Sequence, residues 1–215
     1  MMRKIIIIGA GGHAVSVANV AISAGYEIAG FVDANRAGSK LLNYQIMGGI
    51  ESVGDPLDFI FSIAIGDNFQ RSKVFYDLTR LYPGIYFPTL VHSTAVVSHF
   101  STLEMGSVLM PLSLVGPNTN IGKFCILNSN SSIDHDGRMG EFASLAPGVV
   151  LGGSVNIGNR SVIAIGSVVK HSLQVGSDSI LGAYSYLNKN LEDGCIAYGA
   201  PAKVVRKRES GDSYL

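Results

Sequence analysis

The chain has 215 residues, with 16 Lys and Arg against 16 Asp and Glu and a formal net charge of zero. A nucleic acid is therefore not the expected partner, since its binder would carry a basic stripe as electrostatic footprint. Its two cysteines, Cys125 and Cys195, have neither disulfide nor metal-ligand spacing, and the apolar run between Lys4 and Gly9 is too short for a signal core or a membrane span. The expectation is a chain of one or two domains in the reducing cytoplasm, without membrane insertion and without a metal.

In chain order, Lys4–Gly9 predicts a buried strand, because Ile5-Ile6-Ile7-Ile8 is short and β-branched. A glycine turn follows, then a helix from about His13 to Ala24, stopped by Gly25. Ile28–Asp33 and Phe59–Ile65 read as further strands. Phe69–Leu81 reads as a helix halted by Pro83-Gly84, and Ile85–Phe87 as a last short strand. This alternation predicts an α/β domain with a short parallel, Rossmann-like sheet over residues 1–90. A second domain is expected over 91–215, with the boundary within Pro88–Thr94.

From Val97 to Leu187 every sixth residue is a sizeable aliphatic side chain: Val97, Leu103, Leu109, Val115, Ile121, Leu127, Ile133, Met139, Leu145, Leu151, Ile157, Ile163, Val169, Val175, Leu181, Leu187. In a chain that is 47% hydrophobic, chance gives such a run with odds on the order of 10⁻⁵. Hexapeptide repeats mark a parallel β-helix of triangular coils, eighteen residues to the turn, with the aliphatic position pointing inward. Glycine follows it at Gly116, Gly122, Gly140, Gly152, Gly158, Gly176 and Gly182, where a positive φ or a close backbone approach is expected. The repeat begins near residue 95 and stops after Leu187. Asn188–Gly199 reads as irregular and Lys203–Glu209 as a basic tail. Flat β-helix faces need cover, so a closed homo-oligomer is expected.

Two places carry candidate chemistry. Gly9-Ala10-Gly11-Gly12-His13-Ala14 fits G-x-G-x-x-A between a strand and a helix, and Asp33 ends the next strand. Backbone amides at such a helix start suit a phosphate, so a nucleotide or nucleotide-sugar is the favoured ligand. A structural turn and a dinucleotide oxidoreductase site remain alternatives, and His13 either contacts the ligand or merely opens the helix. The second place is Asp134-His135-Asp136, which follows the inward Ile133 towards a corner. A carboxylate beside an imidazole fixes its tautomer and keeps it basic, which suits a general base; a solvated polar corner is the plainer alternative. His171 reads as a surface residue, and His92 and His99 as structural residues at the domain junction.

Taken together, Ile5–Ala14, Phe31-Val32-Asp33, Ala64-Ile65-Gly66-Asp67-Asn68, Leu90–Ala95, Ile133–Asp136 and Tyr198-Gly199-Ala200-Pro201-Ala202-Lys203 resemble the hexapeptide-repeat acyltransferases of the sialic-acid O-acetyltransferase and bacillosamine N-acetyltransferase family. The resemblance implies a left-handed β-helix, a homotrimer with acyl-CoA grooves between neighbours, and an N-terminal domain that binds a nucleotide-sugar. It implies His135 as general base, Asp136 as the acid that tunes it, and the Gly153 amide on the thioester carbonyl. It also implies coenzyme A contacts at Ile165 and Ala183, and nucleotide-sugar contacts at Gly11, Gly12, His13, Asp33 and Gly66. Some members carry a second histidine near the acyl group where this chain has Ser144. Serine there could donate a hydrogen bond but not share a proton. The expected reaction is direct, acetyl-CoA-dependent N-acetylation of the 4-amino group of a nucleotide-linked amino-dideoxy sugar for surface glycans, with acetyl-CoA as co-substrate. O-acetylation of sialic acid or a related sugar is the alternative, and a non-catalytic hexapeptide-repeat binding protein a more distant one.

Overall fold

A computed structural model describes residues 4–208 and Asp212. Met1-Met2-Arg3, and the Glu209 that closes the basic tail, lie outside the described residues. The N-terminal unit runs β1 (Lys4–Ile8), α1 (Gly12–Ser23), β2 (Glu27–Val32), β3 (Lys40–Leu41), β4 (Tyr44–Met47), β5 (Ile60–Ile63) and α2 (Asn68–Leu81). The sheet order is β3-β4-β2-β1-β5, parallel except for the β3–β4 hairpin. Alternate isoleucines of β1 serve opposite faces. Ile5 and Ile7 pack with the α1 side, and Ile6 and Ile8 with the side that holds Phe75 and Leu78 of α2. That two-sided burial is why β1 is an unbroken apolar run. Asp67 caps α2, its carboxylate accepting from the Gln70 amide at 2.8 Å. The strand expected at Ile85–Phe87 shrinks to one bridge between Tyr86 and Ile60, with Pro88 ending any further pairing.

The second unit is the parallel β-helix, of the left-handed hexapeptide-repeat kind. Two-residue strands recur every six residues and pair with strands eighteen residues away, as Val115–Ile133–Leu151 does. All sixteen aliphatic positions point inward. Only Val97 and Leu103, in the open first coil, are partly exposed. Both limits of the repeat move outward from the sequence reading. The first rung is Leu90–Val91, six residues earlier, because Val91 continues the inward series. After Leu187 the stack also continues. Leu191 bridges Val175, and Ala197 pairs with Leu181, each sixteen rather than eighteen residues on. The last coil is two residues short, so the six-residue rhythm disappears while the stacking persists. The tail then folds back as a strand, Ala202–Lys207, antiparallel to Cys195–Gly199.

The glycines that follow the aliphatic position serve close approach. A β-carbon on Gly116 would lie 2.7 Å from the Asp134 backbone of the next coil, and one on Gly158 would lie 2.4 Å from Ser177 N. Positive φ falls two residues later, at Asn118, Phe124, Asn130, Asp136 and Phe142 among others. For phenylalanine that conformation is strained by roughly 1–3 kcal/mol. Phe124 and Phe142 stack at 5.4 Å and are 1% exposed, packed against Phe75. Burying each ring contributes about 1.5–3 kcal/mol, which offsets the strain and docks α2 onto the coils.

The outward residue of each strand gives the three faces different characters. On the docking face, Leu90, Val108, Ile126, Ser144, Val162, Ile180 and Ile196 are all buried; α1 packs against its Leu90 and Val108 end. The second face presents Val96, Leu114, Ser132, Val150, Val168 and Tyr186, and five of these are exposed hydrophobics. The third presents Thr102, Asn120, Arg138, Asn156 and Gln174. No helix among the described residues is long and apolar enough to cross a membrane.

Candidate active site

His135 sits on the turn that joins the apolar face at Ser132–Ile133 to the polar face at Arg138–Met139. Its Nδ1 is 2.7 Å from Asp136 Oδ2, and Asn118 Nδ2 of the preceding coil donates to Asp136 Oδ1 at 2.5 Å. Asp136 adopts φ +58° at the corner, which turns its carboxylate back onto the neighbouring imidazole. The hydrogen bond to Asp136, joined by the charge of Asp134, holds the His135 imidazole above the usual histidine range. The Asn118 hydrogen bond, with that of His135, holds Asp136 below the usual carboxylate range. Assigning Nδ1–H to the Asp136 contact leaves Nε2 with its lone pair.

That Nε2 edge lies over Gly153, one coil further on. A β-carbon at Gly153 would come within 2.5 Å of both Nε2 and Cε1. The amide at this position of a coil stands outside the strand ladder. Elsewhere a side chain takes it, as Asn159 Oδ1 takes Glu141 N at 2.9 Å and Asp193 Oδ1 takes Ser177 N at 2.6 Å. At Gly153 no acceptor does so among the described residues. A basic nitrogen thus stands beside a glycine whose amide the coil leaves unused, and acyl transfer needs both a base and an oxyanion donor.

Five of the other predicted residues meet elsewhere, and Gly11, Gly12 and Asp33 are not among them. A cavity of about 570 Å³ is lined by His13 and Gly66 of the N-terminal unit, and by Ser144, Ile165 and Ala183 of the coils. Its walls are mostly apolar (Ile126, Leu145, Val162, Ile180), while Tyr198 and Arg206 of the terminal hairpin close one end. Sequence reasoning passed over Arg206, because its pattern signals only a basic tail. The cavity opens on the corner between the docking and apolar faces, whereas His135, Asp136 and Gly153 occupy the corner at the far edge of the apolar face. One chain alone does not unite the two groups.

Two predicted residues, Asp33 and Ser144, have other local work. Gly9 has φ +104°, and its added β-carbon would lie 2.9 Å from Ala64 O, so the tight turn belongs to Gly9. Gly11 and Gly12 are exposed at the start of α1, with open space where a side chain would stand. Asp33 secures that turn: Oδ2 accepts from Ala10 N and Oδ1 from Asn35 N, both at 3.1 Å. Arg36 adds a bond to Ala10 O. Ser144, expected to offer a hydrogen bond to the acyl group, spends its proton on Asn68 Oδ1 at 2.6 Å and accepts from Arg71 at 3.2 Å. Cys125 is fully buried, its thiol pushed up to about 12 by burial. No group of three or more His, Cys, Asp or Glu among the described residues is arranged to hold a metal.

His13 is held down at about 4, chiefly by burial and further by the Arg71 charge, and its Nε2 has no hydrogen-bond partner. It is therefore neutral in the folded protein across the physiological range. The unfolded chain takes up this proton near 6.5, so stability is lost as pH falls from about 6.5 towards 4. At 1.36 kcal/mol per unit this amounts to up to about 3 kcal/mol. His13→Gln is expected to flatten that part of the pH dependence in urea unfolding at pH 7 and pH 4.5. An unchanged pH dependence would contradict it.

Residues 4–78 match the PglD N-terminal domain family. Over 126 residues the chain is 29% identical to a curated GDP-perosamine N-acetyltransferase of Escherichia coli O157:H7; the match spans 58% of this chain and little more than half (56%) of that protein. Among solved structures it is similar to the Caulobacter crescentus GDP-perosamine N-acetyltransferase, in a histidine-to-alanine mutant with CoA and GDP-perosamine. There the TM-score is 0.89 and the identity 29%, covering 96% of this chain and 99% of that one. It is likewise similar to the acetyltransferase domain of PglB from Neisseria gonorrhoeae with acetyl coenzyme A, at TM-score 0.89 and 31% identity, covering 95% and 100%. With both domains matched end to end, the chain belongs to the hexapeptide-repeat amino-sugar N-acetyltransferase family.

Proposed function

We propose that the protein transfers the acetyl group of acetyl-CoA to the 4-amino group of a nucleotide-linked amino-dideoxy sugar, in the cytoplasm and for surface glycans. The observation that carries this reading is the Asn118–Asp136–His135 chain, which ends on a basic Nε2 above the Gly153 amide. The amine nitrogen attacks the thioester carbonyl carbon while His135 Nε2 takes its proton. The Gly153 N–H stabilises the oxyanion, an effect of roughly 3–4 kcal/mol for one donor. The C–S bond then breaks and the thiolate recovers the proton from His135. Asp136 holds the imidazole throughout. The apolar walls with Ile165 and Ala183 suit the pantetheine arm of coenzyme A, and His13, Gly66, Asp33 and the Gly11-Gly12 amides suit the nucleotide-sugar. The ligands bound in the similar structures, CoA, acetyl-CoA and GDP-perosamine, support both halves of this division.

A homotrimer completes the site in this reading. The apolar face carries Val96, Leu114, Val150, Val168 and Tyr186 at 39–60% exposure, and such a face is a hazard until it is covered. Three copies closed around a three-fold axis on that face place one copy's His135 corner beside the cavity corner of the next.

Thiol release from acetyl-CoA against UDP-, GDP- and dTDP-4-amino-sugars, with free sialic acid alongside, tests the proposal. Turnover is expected on one nucleotide amino-sugar. Turnover on sialic acid alone would assign O-acetylation instead.

A further inference from the structure

Arg71 is 1% exposed, and it lies behind the cavity wall rather than in it. Its Nε donates to Phe124 O at 3.0 Å and its Nη2 to Phe142 O at 2.8 Å. Asn68 Nδ2 donates to Arg160 O at 3.2 Å and Ser161 O at 3.1 Å. Phe124, Phe142 and Arg160 occupy the same corner in three successive coils, all with positive φ, a geometry that turns their carbonyls away from the strand ladder. The two side chains thus grip three rungs of the stack at once. On the other side, Arg71 Nη1 donates to Ile65 O and Gly66 O, both at 2.9 Å, the loop that carries the proposed nucleotide-sugar contact. Asn68 Oδ1 accepts from Arg71 Nη2 at 2.7 Å and from Ser144 on the cavity floor.

We infer that Asn68 and Arg71 are positioning residues, a clamp that fixes the height of the sugar-binding loop against the coils and so the offset between the two substrates. Burying a guanidinium is worthwhile only where every donor is matched, and a fixed fork of donors aimed at carbonyls of several rungs defines position more sharply than apolar packing does. Direct transfer tolerates little misplacement, since a shift of about 1 Å can lower the rate on the order of a hundredfold. The role rests on the two-substrate reading above.

Arg71→Lys keeps the charge and loses the fork. The expected result is binding of acetyl-CoA and of the nucleotide-sugar, each measured alone by calorimetry, within threefold of wild type, with kcat lower by at least tenfold. Amide hydrogen exchange at Gly66–Asn68 should rise at least tenfold, while the Ile133 and Leu151 rungs stay protected. A kcat within twofold of wild type, or a fall matched by lost binding of either substrate, overturns the clamp. Should Arg71→Lys not fold, Asn68→Ala, which leaves the Arg71 bonds to Phe124 and Phe142, is held to the same criteria. Wild-type protein that binds neither substrate would overturn the functional reading, and exchange alone would then decide the clamp.

Discussion

His135→Ala is expected to lower kcat by about 10²–10⁴ while both substrates bind within a few-fold of wild type, because only the proton acceptor is removed. The imidazole is half exposed and held by Asp136 alone, so the fold does not depend on it. The pH profile gives the same expectation a second readout. The Asp136 hydrogen bond raises the pKa of His135, so the imidazolium persists to higher pH and the base form grows as pH rises through that raised value. The acid limb of kcat/KM should therefore lie above the ordinary histidine range. Asp136→Asn removes the negative partner. It should move the limb to lower pH and reduce the plateau about tenfold or more, since the amide no longer fixes the Nδ1–H tautomer. Steady-state kinetics across pH 5–9 on the three proteins would show this. An alanine variant retaining a tenth of wild-type turnover would remove His135 from the mechanism.

The repeat was legible because one physical demand recurs sixteen times: each flat side needs an aliphatic residue inside. The same signal failed at both ends for opposite reasons. Val91 obeys the pattern but sits behind the domain junction, whereas Leu191 and Ala197 stack correctly from a coil two residues short. The β3–β4 hairpin was missed because Leu42 and Asn43 make its turn at φ +47° and +67°, without the glycine that would announce it. In the candidate site, His135 and Asp136 were readable as neighbours in sequence. Gly153 is brought beneath His135 by the eighteen-residue coil, which the period predicts. Asn118 follows from the same arithmetic, one coil before Asp136, and could have been found. Arg71 and Asn68 could not, because most of their partners are backbone carbonyls, and carbonyls carry no residue signature. Likewise, nothing in the sequence near Ser144 shows that its hydroxyl is already committed to Asn68 and Arg71.

Gly153→Ala is expected to reduce kcat by about 10²–10³, as much as removal of an oxyanion donor, with little change in Tm. The added methyl would stand 2.5 Å from His135 Nε2 and Cε1, a distance no real contact sustains. The strained partner is the end of a half-exposed side chain rather than backbone, so the imidazole swings aside and the coil survives. Two routes lead to the same loss: the base is displaced, or the methyl crowds the carbonyl away from the Gly153 amide. A double-mutant cycle with His135→Ala separates them. If displacement dominates, Gly153→Ala on top of His135→Ala costs almost nothing further, because the base is already gone. If the amide contributes independently, the double variant falls by a further 10²-fold or so, close to the product of the single effects. The geometry of one nitrogen poised over one glycine favours strong coupling, so the double variant should stand within about fivefold of His135→Ala. Full additivity would show that His135 and the Gly153 amide act on the reacting carbonyl from separate positions.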